Sequence, residues 1–278
     1  MLQVFDVMPA GEHRFIGSSD GGTRRVVDGS QLLGQAIVAA SKSLPNHTVR
    51  SASAVFVRAA DDERQLTFAV EVLHEGRTFA SAVVSVMQGE RLCASVTILL
   101  DVVHPSVVER STPMPEVGLP ADATPFDMPM TGRQLRLVGI SDPNEPDEFD
   151  EPTIDAWLHY DEIPLRNDLR KALIAHFTGH LSISTTMRGH RGIGTAMAHK
   201  SLSTGVMAIS LTFHEPVDWT GWILYHHESS RVGQGMSYVR GQVFTEAGVL
   251  ITSFTQDGMI RSFAESSALL DIPVANRL

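Results

Sequence analysis

The spacing of apolar residues predicts one long helix in each half of the chain. In residues 29–44 the apolar positions lie three and four residues apart, which is the spacing of one helix face. Asp28 or Ser30 can cap the start of this helix, and Pro45 follows its end. A second helix is predicted over residues 166–184. Each half therefore contains one helix long enough to lie across a sheet.

Each predicted helix is followed by four runs of residues that are typical of β-strands. These runs are residues 48–58, 65–74, 77–87 and 91–102 in the first half and residues 205–215, 221–230, 236–245 and 249–256 in the second. Short polar turns join neighbouring runs, so we expect each set to pair as an antiparallel meander. Two further strands, residues 134–140 and 154–160, precede the second helix.

An internal repeat relates the two halves. Residues 55–76 align with residues 212–233 at a constant offset of 157 without a gap. The identical pairs are Phe56 and Phe213, Asp61 and Asp218, Glu71 and Glu228, and Gly76 and Gly233. A repeat of this length indicates one supersecondary unit that is used twice.

A helix followed by four antiparallel strands, used twice, predicts an α+β fold of the double-hotdog type. In this arrangement two long helices each pack on a curved antiparallel sheet, and the sheets join edge to edge, which removes an exposed edge from each. We expect an N-terminal hotdog over residues 1–104 and a C-terminal hotdog over residues 131–278. Residues 105–130 contain six prolines and are predicted to form a connector.

Composition narrows the range of partners. The net charge of -10 excludes an overall basic field that would attract nucleic acid or an anionic membrane. The first residues lack the features of a signal peptide, and no apolar run approaches the ~20 residues that a membrane span needs. The one cysteine, Cys93, excludes an internal disulfide and is typical of a reducing compartment. We therefore expect a cytoplasmic protein with no nucleic-acid partner and no membrane span.

Several short motifs then point to a family. Residues 29–36 read Gly-Ser-Gln-Leu-Leu-Gly-Gln-Ala, and residues 239–245 read Val-Arg-Gly-Gln-Val-Phe-Thr. Residues 255–261 read Thr-Gln-Asp-Gly-Met-Ile-Arg, and residues 213–216 read Phe-His-Glu-Pro. In order and spacing these motifs resemble those of the acyl-CoA thioesterase II family, the double-hotdog thioesterases. The resemblance covers about residues 20–262. It implies hydrolysis of a fatty acyl-CoA without a covalent intermediate.

The resemblance also implies three catalytic positions. The family uses an aspartate at the end of the second helix, a threonine on the next strand and a glutamine on the closing strand to activate a water. In this sequence the glutamine is Gln256, whereas the aspartate position holds His180 and the threonine position holds Val206. One hypothesis is that His180 acts as the general base, because a neutral imidazole can accept the proton of water near pH 7. Thr178, Ser182 or Ser210 would then supply the missing hydroxyl.

A second hypothesis is that the water is never activated. The protein would then bind acyl-CoA or another acyl ligand without hydrolysing it. If His180 is the base, the rate is expected to rise with pH through a pKa typical of histidine. A hotdog hydratase or dehydratase is a third hypothesis, which is disfavoured because the first half shows no catalytic Asp/His pair at a helix start.

The expected substrate contacts come from two regions. Gln31 and Gly34, in the motif of the first helix, are predicted to bind substrate. Arg188 and Arg191 lie in a glycine-containing loop and are predicted to approach the CoA phosphates, although an ordinary solvated loop is the simpler interpretation. No cofactor is predicted. His176 and His180 are four residues apart on one helix face, but no third ligand lies between them, so a metal site is not predicted. By analogy with other hotdog proteins we expect a homo-oligomer.

Overall fold

The structure is a computed structural model that describes residues 1–128, 131–214 and 216–263. Three parts of the sequence predictions lie outside the described residues. These are the last two residues of the predicted connector, Glu215 in the motif of residues 213–216, and residues 264–278 of the predicted C-terminal hotdog.

The described residues contain four α-helices, two of them long. They are α1 (Leu2–Phe5), α2 (Gly29–Ser43), α3 (Asn167–Thr178) and α4 (Ser182–Arg188). The first long helix, α2, agrees with the prediction. The predicted helix over residues 166–184 is in fact two helices, and this is a correction. Gly179, His180 and Leu181 separate them, and Leu181 has a φ of 64°, which a continuing right-handed helix does not allow.

The strands of the first half are β1 (Met8–Gly11), β2 (Arg14–Gly17), β3 (Val26–Val27), β4 (Thr48–Phe56), β5 (Ala60–Asp61), β6 (Leu66–Glu75), β7 (Phe79–Gln88) and β8 (Arg91–Asp101). Those of the second half are β9 (Thr124–Pro125), β10 (Arg133–Leu137), β11 (Thr153–Tyr160), β12 (Leu202–Phe213), β13 (Ile223–Gly233), β14 (Met236–Thr245) and β15 (Leu250–Ser262). Thirteen of them form one antiparallel sheet in the order β1-β2-β6-β7-β8-β4-β12-β15-β14-β13-β11-β10-β9, and β3 pairs with β5 separately.

The two halves join edge to edge through β4 and β12. At the centre of this seam Ser53 pairs with Ser210, and the side-chain hydroxyls of these two residues lie 2.7 Å apart. Their separation of 157 residues is the offset of the internal repeat, so a residue pairs across the seam with its own counterpart. The double-hotdog prediction is confirmed.

The helices pack inside the curve of the sheet. Residues 30–40 of α2 are all buried, because this helix contacts the first sheet on one side and α3 on the other. Gly34 permits the approach of the two helices, since a Cβ atom there would lie 2.9 Å from the Phe5 ring and 3.1 Å from the Ala172 carbonyl oxygen. No helix among the described residues is long and apolar enough to cross a bilayer.

Two tyrosines fix α3 on the second sheet. The Tyr160 hydroxyl donates to the Leu173 carbonyl at 2.9 Å, and the Tyr225 hydroxyl donates to the Ile174 carbonyl at 3.1 Å. Both hydroxyls are buried, and a buried hydroxyl left without a partner would be costly. These bonds therefore determine the position of α3, and with it the position of His180 two residues beyond its end.

Candidate active site

His180 lies in the break between α3 and α4, beside the start of α2. Gly179 is needed here, because a Cβ atom at this position would overlap Ser30 of α2. The His180 ring stacks on Phe177, with the ring centroids 5.3 Å apart. The helix break of the second half therefore contacts the first turn of α2, through Gly179 and Ser30.

The hydrogen bonds of His180 fix the position of its proton. Its Nδ1 lies 3.0 Å from the carbonyl oxygen of His176, and a carbonyl only accepts, so Nδ1 carries the hydrogen. Nε2 then has a free lone pair and faces Asp28, whose Oδ2 is 3.9 Å away. Burial lowers the pKa of His180 to about 4, the charge of Arg133 adds to this effect, and the Asp28 carboxylate opposes it. His180 is therefore neutral at pH 7, with Nε2 able to accept a proton.

Asp28 is the residue that the sequence interpretation assigned only to helix capping. It occupies the N-cap position of α2, but its side chain makes no capping hydrogen bond. Its Oδ1 instead accepts from Arg24 at 3.2 Å, and Arg24 also lies 2.8 Å from Nε2 of His199. The Asp28 side chain is 46% exposed and that of His180 is 10% exposed, so the carboxylate connects His180 to the surface. An Asp/His pair at a helix start thus exists, but the two halves contribute one residue each.

The contact of Arg133 with His176 disfavours a metal site at the candidate active site. Asp28, His176 and His180 each offer one possible ligand atom, and these three atoms lie within 4.8 Å of one another. However, the Arg133 guanidinium lies 3.3 Å from Nδ1 of buried His176, and a guanidinium only donates. This contact places the hydrogen of His176 on Nε2, so neither ring nitrogen offers a free lone pair. The donor arrangement favours proton transfer at His180 over metal binding.

Gln256 lies inside the second hotdog on β15, paired with Ile209 of β12 and Val239 of β14. Its side chain is 1% exposed, and neither Oε1 nor Nε2 has a hydrogen-bond partner. The start of α4 covers this part of β15, because a Cβ atom at Gly258 would lie 3.1 Å from Cδ1 of Ile183. Gln256 therefore faces the helix turn that follows His180, although no hydrogen bond joins the two side chains.

Two of the three hydroxyls predicted to assist catalysis, those of Thr178 and Ser210, lie elsewhere. The Thr178 hydroxyl is fully buried and donates to the Ala175 carbonyl of its own helix at 2.7 Å. Ser210 lies on the outer face of the sheet, because its neighbour Ile209, which pairs with Gln256, points inward. The structure does not bring Ser210 together with Gln256, which corrects that part of the prediction. Val206 is partly buried against the core.

Gln31 and Gly34 are both buried. Gly34 lies at the contact of α2 with Phe5 and Ala172, so this placement gives it a packing function and corrects the predicted substrate contact. Gln31 is 1% exposed, and its Oε1 accepts from the Asp20 backbone N–H at 3.3 Å. Its Nε2 is buried without a partner.

Arg188 and Arg191 contact the acidic loop of residues 141–152 rather than open solvent alone. Arg188 donates to Asp150 at 2.9 Å, and the Arg191 guanidinium lies 5.6 Å from the centre of the Phe149 ring. The Arg188 side chain is only 12% exposed, and its charge is compensated by the ion pair with Asp150. Arg24 is an exposed cation that contacts Asp28 of the candidate site, and the sequence interpretation did not single it out.

The fold and these side chains together define a class of protein: a double-hotdog protein with a neutral, proton-accepting histidine where its two halves meet. The family model of the acyl-CoA thioesterase N-terminal domain matches residues 19–100. The model of the acyl-CoA thioesterase C-terminal domain matches residues 108–260. The chain therefore belongs to the acyl-CoA thioesterase family, as the sequence motifs indicated.

Similar proteins agree with this assignment. Acyl-CoA thioesterase 2 of Haemophilus influenzae is 26% identical over 263 residues, which cover 88% of this chain and 90% of that protein. A solved tesB protein of Mycobacterium avium subspecies paratuberculosis is similar in fold, with a TM-score of 0.79 and 20% identity over 93% of this chain and 97% of that one. Acyl-CoA thioesterase II of Mycobacterium marinum gives a TM-score of 0.77 and 19% identity over 94% and 96% of the two chains.

Proposed function

We propose that this chain hydrolyses the thioester bond of an acyl-CoA and releases a free carboxylic acid and CoA. The observation that carries the proposal is the state of His180, whose Nδ1–H is held by a carbonyl and whose Nε2 is free. The substituted catalytic position thus retains a proton acceptor. Burial lowers its pKa to about 4, so the imidazole is unprotonated at pH 7, as the carboxylate that the family resemblance places there would be.

The proposed mechanism uses a water molecule held between His180 and Asp28. Nε2 of His180 accepts one hydrogen bond from the water and Oδ2 of Asp28 accepts the other, since both atoms are acceptors. As the water oxygen attacks the carbonyl carbon of the thioester, its proton passes to Nε2. The amide of Gln256 is buried and unpartnered, and its N–H groups stabilise the oxyanion. The C–S bond then breaks, and the imidazolium returns the proton to the CoA sulfur.

Family membership favours hydrolysis over the alternative of binding without turnover. The deciding experiment measures release of the free CoA thiol from acetyl-, butyryl-, octanoyl- and palmitoyl-CoA by the purified protein. We expect catalytic turnover of at least one of these esters above the rate without protein. Saturable binding of an ester with no release of thiol would instead identify a binding protein on the same fold.

The pH dependence follows from the lowered pKa of His180. A group that must be unprotonated to act loses activity as the pH falls through its pKa, so kcat/KM should decline only below about pH 5 and stay flat from pH 6 to pH 8. This replaces the expectation of a midpoint at an ordinary histidine pKa, because burial disfavours the charged imidazolium. A kcat/KM profile between pH 3.5 and pH 8.5 checks the prediction.

Asp28→Asn is the matched variant, because it removes a charge that acts on His180 and leaves the imidazole in place. Removing the Asp28 charge removes an interaction that raises the pKa of His180. The decline of kcat/KM at acid pH should therefore move to a lower pH. An unchanged pH profile in Asp28→Asn would show that the group whose protonation abolishes activity does not sense the Asp28 charge, which would contradict its assignment to His180. A decline of kcat/KM centred near pH 6.5 in the wild type would contradict the lowered pKa of His180.

Four further properties belong to the same proposal. The substrate is an acyl-CoA, the protein acts in the cytoplasm, and it assembles as a homo-oligomer. The chain is organised as two hotdogs over residues 1–104 and 131–278 with a connector at residues 105–130. The boundary between the two matched family domains falls between residues 100 and 108, which supports the division into two hotdogs but not a separate connector. Sedimentation of the purified protein would determine the oligomeric state.

A further inference from the structure

Two rings of α3 enclose the imidazole of His180. His176 lies four residues before His180 and meets it edge to face, with the ring centroids 4.9 Å apart. Phe177 stacks on His180, with the centroids 5.3 Å apart and 12° between the ring planes. Both of these side chains are buried. The orientation of the His180 ring is therefore tied to the positions of His176 and Phe177.

Arg133 contacts both of these rings. Its Nη1 lies 3.3 Å from Nδ1 of His176, and its guanidinium carbon lies over the Phe177 ring, 5.6 Å from the centroid. A planar guanidinium can donate hydrogen bonds from its edge and stack through its face, whereas the ammonium of a lysine is a compact charge without a face. A single side chain thus holds the two rings that enclose His180.

The strand that carries Arg133 is itself fixed to α3. Arg133 is the first residue of β10 and pairs with Tyr160 of β11, whose hydroxyl donates to the Leu173 carbonyl of α3 at 2.9 Å. Burial raises the pKa of Tyr160 and the charge of Arg133 opposes this, so the guanidinium and the tyrosine hydroxyl are neighbours. Arg133 therefore joins the strand pair β10–β11 to the end of α3.

His176 connects Arg133 to His180 through two hydrogen bonds. A guanidinium only donates, so Nδ1 of the His176 ring accepts from Arg133. The backbone carbonyl of the same residue accepts from Nδ1 of His180 at 3.0 Å. The second bond leaves Nε2 of His180 directed toward Asp28, 3.9 Å away. Displacing His176 would therefore disturb the arrangement that leaves Nε2 free.

The charges around His180 come from several elements. The titratable and charged groups that neighbour His180, or that neighbour its own partners, are Asp28 at the start of α2 with Arg24 and His199 behind it, His176 on α3, Arg133 on β10 and the amino group of Met1. Burial lowers the pKa of His180, Arg133 acts in the same direction, and Asp28 opposes both. Arg133 thus supplies the positive charge that opposes Asp28 at the ring.

We propose that Arg133 is a positioning residue for hydrolysis, which acts through His176 and Phe177 to hold the His180 ring with Nε2 toward Asp28. The inference rests on the proposed function, in which Nε2 accepts the proton of the attacking water. Proton transfer requires the acceptor to lie within hydrogen-bond reach of that water, so a small rotation of the ring slows the reaction.

The kinetic test compares the unmodified protein with Arg133→Met and Arg133→Lys. Methionine removes the charge together with the polar contact to His176, whereas lysine keeps the charge and loses the planar fork. We expect kcat to fall about tenfold in both variants, since a misplaced group can cost up to about 100-fold. KM should stay within about twofold, because the interaction lost acts on the chemical step. An unchanged kcat in both variants would overturn the proposal.

The pH profile separates the function of Arg133 from a general loss of packing. In Arg133→Met the decline of kcat/KM at acid pH should move to a higher pH, because a charge that lowers the pKa of His180 is gone. In Arg133→Lys the decline should stay in place, because a positive charge remains. A merely structural defect would move both profiles alike, and that result, or no movement in Arg133→Met, would contradict the proposal.

Arg136→Met is the matched control. Arg136 follows Arg133 by three residues on β10 and therefore lies on the opposite face of the strand. Its guanidinium lies 5.4 Å from the centroid of the Trp222 ring and donates to the Pro120 carbonyl at 3.1 Å, so it makes similar contacts away from α3. Both kcat and the pH profile should be unchanged. An equal loss of kcat in Arg136→Met and Arg133→Met would refute a specific function of Arg133.

If no acyl-CoA is hydrolysed, the proposed function fails but the function of Arg133 can still be decided. The measurement is NMR of the protein labelled with ¹⁵N-histidine, in which the His180 signals are those lost in His180→Asn. We expect a single Nδ1–H form of His180 at pH 7 in the unmodified protein and in Arg136→Met. Arg133→Met should show a mixture of both tautomers. A single Nδ1–H form in Arg133→Met would reject the proposal.

Discussion

Replacing His180 by alanine is expected to lower kcat/KM for acyl-CoA hydrolysis by about 10²–10⁴-fold, the usual contribution of a general base. The variant loses Nε2, the free proton acceptor beside Asp28, while the backbone of the helix break stays the same. Gln256→Ala should lower kcat/KM by about 10²–10³-fold, because it removes a donor to the oxyanion. The measurement is CoA release under single-turnover and steady-state conditions.

His190 offers a matched control for His180. It follows the end of α4, and its Nδ1 lies 3.1 Å from the carbonyl oxygen four residues earlier, which is the same contact that His180 makes after α3. His190→Ala should therefore remove a similar ring and a similar hydrogen bond without changing kcat/KM. Equal activity of His180→Ala and His190→Ala would exclude His180 as the base.

Replacing Phe254 by alanine is expected to lower the free energy of unfolding by about 3–5 kcal/mol, the usual cost of truncating a buried phenylalanine. Phe254 is 3% exposed and lies over Gly241, where a Cβ atom would overlap its ring. It also meets His227 edge to face, with centroids 5.3 Å apart. Urea unfolding of both proteins, followed by tryptophan fluorescence, gives the difference.

Phe79→Ala is the control for this measurement. Phe79 is also on a strand of the sheet but is 54% exposed, so its loss should change the free energy of unfolding by less than about 0.5 kcal/mol. If Phe254→Ala were as mild as Phe79→Ala, the interior of the second hotdog would not be packed as the structure has it.

Much of the fold could be predicted because its signals are local or repeated. The offset of 157 residues relates β6 to β13 and β7 to β14, and the sequence showed it through four identities. The break in the second helix was missed because Gly179 alone is weak evidence for a helix end. Its necessity comes from Ser30, which is distant in sequence and occupies the space of a side chain.

The candidate site was predictable only in part. Gln256 and His180 were found through motif positions; Gln256 is 1% exposed, and the His180 side chain is 10% exposed. Asp28 was assigned to capping because a carboxylate at a helix start ordinarily has that function. The difference between the row of His227 on β13 and the aliphatic row of Val70 in the first half appears only when the strands are paired.

The sequence by itself determined the periodicity of the strands, the duplication and the family, because these depend on residues close in the chain or on a constant offset. Tertiary structure alone decided which groups meet. Packing of α2 against α3 through Gly34 and Gly179 sets Asp28 beside His180, and the burial that this packing imposes lowers the pKa of His180. The position of the His180 proton and the solvation of the ring depend on neighbours from both halves of the chain. No local pattern of residues encodes them.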